Sequence, residues 1–143
     1  MARWSEVETE VPELAAQARR FFDLFTHKTI ATLRRDGSPR ISGTEVDFAD
    51  GDMWIGSMWR AVKALDLRRD PRFALHSGSQ DPQAWRGDAK VAGRMEEVTA
   101  DGRSHRFRAE IAELVVVRLG EPADHIVIES WHEGRGLQRR ERR

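Results

Sequence analysis

Gly56-Ser57, followed by Arg60 and Lys63, is the stretch of this chain best suited to hold an anion. Residues 53–56 are apolar enough for a strand. Residues 59–69 place Val62, Leu65 and, less strictly, Ala61 and Leu67 at helical spacing. A strand that hands over to a helix offers unpaired N–H groups and the positive end of the helix dipole, and both stabilise a phosphate. Ser57 adds a hydroxyl donor. Arg60 and Lys63, three apart, are expected on one face of the first helical turn and add two cations. Together they suit a nucleotide-like monophosphate. They equally suit a capped helix whose Arg and Lys are solvated, and this motif alone does not separate the two.

Other chemistries find less support. His27, His76, His105, His125 and His132 show no His-x-x-x-His spacing, and there is no cysteine, so neither a metal centre nor a disulfide is expected. Nucleophile-elbow, Walker and dinucleotide-binding signatures are absent, and no catalytic acid, base or nucleophile can be named. Lys plus Arg and Asp plus Glu number 24 each, which gives no overall pull toward nucleic acid or a membrane surface. No apolar run approaches the ~20 residues that span a bilayer, and the first residues lack an apolar signal core. A cytoplasmic protein is the default expectation.

The elements that must position these residues are mostly strands. Residues 11–25 place Leu14, Ala18, Phe21, Phe22 and Phe25 at helical spacing, with Pro12 suited to the first turn. The period then changes. Residues 28–33 are β-rich, 35–38 carry an Asp-Gly hairpin signal, and 39–48 return as a second strand, on which Arg40, Ser42 and Thr44 share a face. A turn at 50–52, a strand at 53–56 and the short helix follow, and Asp70-Pro71 stops that helix. Further strands are expected at 73–77, 89–98, 107–112, 114–119 and 125–131, with a polar loop at 79–88. Gly93 marks a bulge or close approach. At 143 residues this is one domain, expected over 1–137, followed by a basic, frayed tail at 138–143. The fold class is mainly β, an antiparallel barrel with flanking helices.

Residues 30–75 resemble the core half of the pyridoxamine-5'-phosphate-oxidase-like, flavin-binding split β-barrel family. The match runs through Thr32, Asp36-Gly37, Arg40, Ser57, Lys63-Ala64 and Asp70-Pro71-Arg72, and residues 91–96 resemble that family's next core strand. The resemblance implies a homodimer with the cofactor at its interface. Ser57 and Lys63 would then hold the phosphate with help from Arg60, and Arg40, Ser42 and Thr44 would face the cofactor. Trp59 is placed to stack on its ring. Residues 67–72 look like the branch whose members use FMN or the deazaflavin coenzyme F-420, some binding haem instead. A hydride would pass to or from a small organic substrate, or the barrel would carry the cofactor without turnover. Several positions depart from the biosynthetic oxidase: Glu45 replaces a Lys, Val62 an Arg and Asp88 a Gln, and no Arg-Leu-His motif follows Trp131. Loss of two cations argues against that particular activity.

Overall fold

The computed structural model describes residues 1–78 and 81–143. Residues 79 and 80, at the start of the loop expected over 79–88, lie outside that set. The chain runs α1 (Trp4–Glu10), α2 (Pro12–Asp23), β1 (Lys28–Leu33), β2 (Pro39–Thr44), β3 (Val46–Ala49), β4 (Asp52–Met58), α3 (Val62–Arg69), β5 (Arg72–His76), β6 (Gly87–Ala100), β7 (Ser104–Leu119), β8 (Ile126–His132) and β9 (Gly136–Arg142). All strand pairings are antiparallel, in the order β2-β1-β5-β6-β7-β4-β3, with β8 on β7 and β9 on β8.

The barrel closes because one run of chain serves both ends of the sheet. The second strand expected over 39–48 is broken at Glu45: β2 pairs with β1 at one end, and β3 pairs with β4 at the other. Inside, Ile30, Met53, Ile55, Leu75, Val91, Phe107, Ile111 and Leu114 are buried, each from a strand that alternates inward and outward. Helices α1 and α2 cover one end with Trp4, Val7, Leu14, Ala18 and Phe22. Close approach of α2 to the sheet requires Gly87, where a Cβ would press on the Phe21 ring and the Val117 carbonyl.

Four further elements differ from the sequence expectation. A helix that was not expected, α1, precedes the expected one, α2, and Glu6 accepts the Arg3 N–H at 3.0 Å at its start. The strands expected at 107–112 and 114–119 are one strand, β7. Its register on β6 shifts where Ala92 faces Glu113 and Gly93 faces Ile111. Ala112 is therefore the extra residue of a bulge, which breaks the period-two pattern in the sequence. Helix α3 starts at Val62 rather than Trp59. Finally, residues 136–142 are not a frayed tail: they pair with β8 as β9, after a turn in which Gly134 and Gly136 take positive φ. Charged side chains on this edge strand discourage further strand addition.

Candidate functional site

The Gly56-Ser57 end of β4 faces a cavity of about 520 Å³, within the usual range of small-molecule sites. Its walls come from both ends of the sheet and from α3: Thr44 on β2, Ser57 on β4 and Lys63 on the first turn of α3, with His27, Arg103 and Ser104 at the rim. Lys63 Nζ donates to the Gly43 carbonyl at 2.7 Å, which leaves two N–H donors for a ligand. Burial pushes its ammonium below the ordinary value, and the charge of Glu45 only partly offsets this. No carboxylate among the described residues lies within ion-pair distance of Lys63. Ser57 is buried, and its hydroxyl makes only a long 3.3 Å bond to the Met58 carbonyl. Half-desolvated cation and weakly engaged hydroxyl together fit an anionic group.

Of the seven residues the sequence singles out, Thr44, Ser57 and Lys63 line this cavity. The other four do not. Arg40 turns to Asp66, its Nε 2.8 Å from Oδ2, because that buried carboxylate needs a counter-charge. Ser42 lies on the same strand face, half-buried, outside the cavity lining. Trp59 stacks on His105 with ring centroids 4.6 Å apart. Arg60 precedes α3 at φ +61, so it does not share a helical turn with Lys63.

The sequence alone did not place His27, Arg103 or Ser104 at the cavity. The Asp101-Gly102 pair signals a turn, but nothing in its spacing aims Arg103 at Ser57. Strand register does this, since Ser57 pairs with His105 across β4 and β7. His27, just ahead of β1, has no side-chain partner among the described residues. Glu129 and His132 have a Glu-x-x-His spacing, yet on a strand that puts them on opposite faces. Glu129 takes Arg118 at 2.7 Å, and His132 faces Glu113 at 3.4 Å. No group of three or more metal-ligating side chains occurs among the described residues.

The fold is that of the pyridoxamine-5'-phosphate-oxidase-like split β-barrels. A pyridoxamine 5'-phosphate oxidase-related, FMN-binding protein from Nostoc punctiforme superposes with a TM-score of 0.68 at 12% identity, covering 100% of this chain and 98% of that one. PhzG from Burkholderia lata, crystallised with tetrahydrophenazine-1-carboxylic acid, gives a TM-score of 0.64 at 10% identity over 95% and 90% of the two chains. A haem-binding protein from Mycobacterium smegmatis gives 0.62 at 14% identity over 92% and 88%. Comparison of the sequence with family models and with curated proteins gives no match. No helix among the described residues is long and apolar enough to cross a membrane.

Proposed function

We propose that this chain is a flavin- or deazaflavin-dependent oxidoreductase that acts on a small organic substrate as a homodimer. The observation that carries this is Lys63, a partly desolvated ammonium with no carboxylate within ion-pair distance among the described residues, in a cavity of about 520 Å³ that Ser57 also lines. An anion there regains for Lys63 the stabilisation it lost on burial. FMN carries a phosphate of this kind, and coenzyme F-420 adds an acidic tail that Arg103 at the rim suits. Bound, either cofactor supplies the hydride acceptor and donor, so no side chain is needed as a nucleophile. Ser57 and Lys63 anchor the anionic end, and Thr44 walls the cavity beside them. Likeness in fold to an FMN-binding protein supports the same assignment.

An uncovered sheet face supports the homodimer. Ile41, Ala31, Ala74 and Ala92 form one outward row across β2, β1, β5 and β6, which meets Glu113 on β7; Val115 and Val117 lie further along β7 on the same side, and Val117 pairs with Ile128 of β8. Ile41 is 74% exposed. Gly43, on the same side of β2, borders the cavity, so a partner seated on this face closes it.

A second possibility is a non-enzymatic haem carrier. His27 favours it, since its imidazole is exposed at the cavity rim, has no side-chain partner among the described residues, and would be free to ligate the iron. Absorbance and fluorescence titrations of the purified protein with FMN, coenzyme F-420 and haem distinguish the two. Lys63→Ala is expected to weaken the preferred flavin or deazaflavin by ~1–3 kcal/mol, the size of a charge-assisted hydrogen bond. Absence of binding by all three cofactors sinks both.

A further inference from the structure

The link between β4 and α3, residues 58–61, is held in an unusual shape by side chains outside the cavity. Arg60 sits at φ +61, in the left-handed region that a non-glycine residue keeps only where its surroundings impose it. The residue that imposes it is His105 on β7, 1% exposed. His105 Nε2 accepts the Arg60 N–H at 3.0 Å. Its ring lies on Trp59 at an interplanar angle of 12°. On the other side, Nδ1 lies 3.1 Å from Glu97 Oε1. Arg68 of α3 grips Glu97 through two bonds of 2.7 Å and lays its guanidinium 5.6 Å from the centre of the Trp59 ring. One cluster therefore ties the link to α3, β6 and β7.

The geometry dictates a protonation state. A backbone N–H aimed at Nε2 needs a lone pair there, so the neutral ring carries its proton on Nδ1 and donates it to Glu97. Glu97 stays ionised, because Arg68 first and His105 after it hold its carboxyl, against burial, down to about 2. A second proton can enter the ring only at Nε2. There it meets the Arg60 N–H donor to donor, and that bond is lost. The charged groups facing the ring are Glu97 on β6, Arg68 on α3, Arg60 on the link and Asp101 in the β6–β7 turn. Met58 and Ala61 of the link, and Ser104 next to His105, are walls of the cavity.

We propose that neutral His105 is a positioning residue that latches residues 58–61 in their cavity-forming shape, and that protonation at Nε2 unlatches them and weakens anion binding at Ser57 and Lys63. The effect on binding rests on the function proposed above, whereas the latch itself does not.

The test has two arms. Nitrogen-detected NMR of the full chain without ligand is expected to show His105 as the Nδ1–H tautomer at high pH. The Arg60 amide should then shift in step with ring protonation as the pH is lowered. An Nε2–H tautomer, or an Arg60 amide indifferent to ring charge, overturns the latch. In the second arm, FMN is titrated against wild type and His105→Gln, whose amide oxygen can take the Arg60 N–H without titrating. Wild type is expected to lose about tenfold more affinity than H105Q between the neutral and the protonated ring, as read by the NMR arm. Titration of the FMN phosphate is common to both proteins and cancels in the comparison. Equal pH dependence in the two overturns the proposal. Should FMN bind neither protein at any pH, the cofactor assignment falls and the NMR arm alone decides the latch.

Discussion

Asp66, on the buried side of α3, is 2% exposed and still ionised. Burial opposes its charge, but hydrogen bonds from Arg40, Thr32 and Arg69 outweigh it and hold the carboxyl below its ordinary 3.8. The distances are 2.8, 2.8 and 3.0 Å. Asp66 thus fastens α3, which carries Lys63, to β1 and β2. Removing one partner from a buried ionic cluster leaves uncompensated charge, so Asp66→Ala is expected to cost ~3–5 kcal/mol in urea unfolding at neutral pH. The pH sign follows from the depressed value. Stabilisation by Asp66 is complete above the unfolded carboxyl's pKa and is lost as pH falls through the lower folded value. Wild type should therefore lose more stability than the Asp66→Ala variant between neutral pH and acid below that value. An equal loss in both would mean that Asp66 titrates as it does in the unfolded chain.

Among the elements, those with a clean period were legible in the sequence. The alternation of β1 and β5, the Asp-Gly hairpin and the i, i+4 spacing of α2 all correspond to what forms. Misjudged elements fail for physical causes. Residues 59–61 look helical by composition, but the backbone bond from Arg60 to His105 stops them from joining α3, and that contact spans 45 positions of sequence. β9 looked like a charged tail because its partners Ile126, Val127 and Ile128 supply the pattern that its own side chains lack. Part of the cavity was equally hidden, since the register of β4 on β7 is what brings Arg103 and Ser104 into its lining beside Ser57. Gly93 is the opposite case, a bulge position visible as a glycine within an apolar strand. A Cβ there would run into the Glu110 backbone carbonyl, and both strands are too constrained to yield cheaply. Gly93→Ala is expected to destabilise the fold by ~1–3 kcal/mol, the usual cost of overpacking, measured by chemical denaturation. Unchanged stability would mean that the bulge relaxes freely.

For the whole molecule, the question is what covers the outer face of β2, β1, β5 and β6. Helices α1 and α2 cover another part of the barrel, and the small Ala31, Ala74 and Ala92 leave this face flat enough for a second sheet to approach closely. Stable protein interfaces bury ~800 Å² per partner around an apolar centre with few charges. The row from Ile41 through Ala31, Ala74 and Ala92 is the apolar centre on offer, with Glu113 at its β7 end. Lys90 and Arg94, exposed on the same strand as Ala92, lie on its margin. A carboxylate at the centre must be desolvated on association without a partner. If the proposed dimer uses this face, Ile41→Glu is expected to shift it toward monomer at micromolar concentration in sedimentation velocity. Val98→Glu, which alters a side chain 49% exposed near the far end of β6, should leave the dimer intact. Because Gly43 borders both this face and the cavity, the Ile41→Glu monomer should also bind its cofactor more weakly than wild type, although Ser57 and Lys63 are untouched. A monomeric wild type, or an Ile41→Glu protein that remains dimeric, removes this face as the interface; an Ile41→Glu monomer with full cofactor affinity shows that one barrel is enough to build the site.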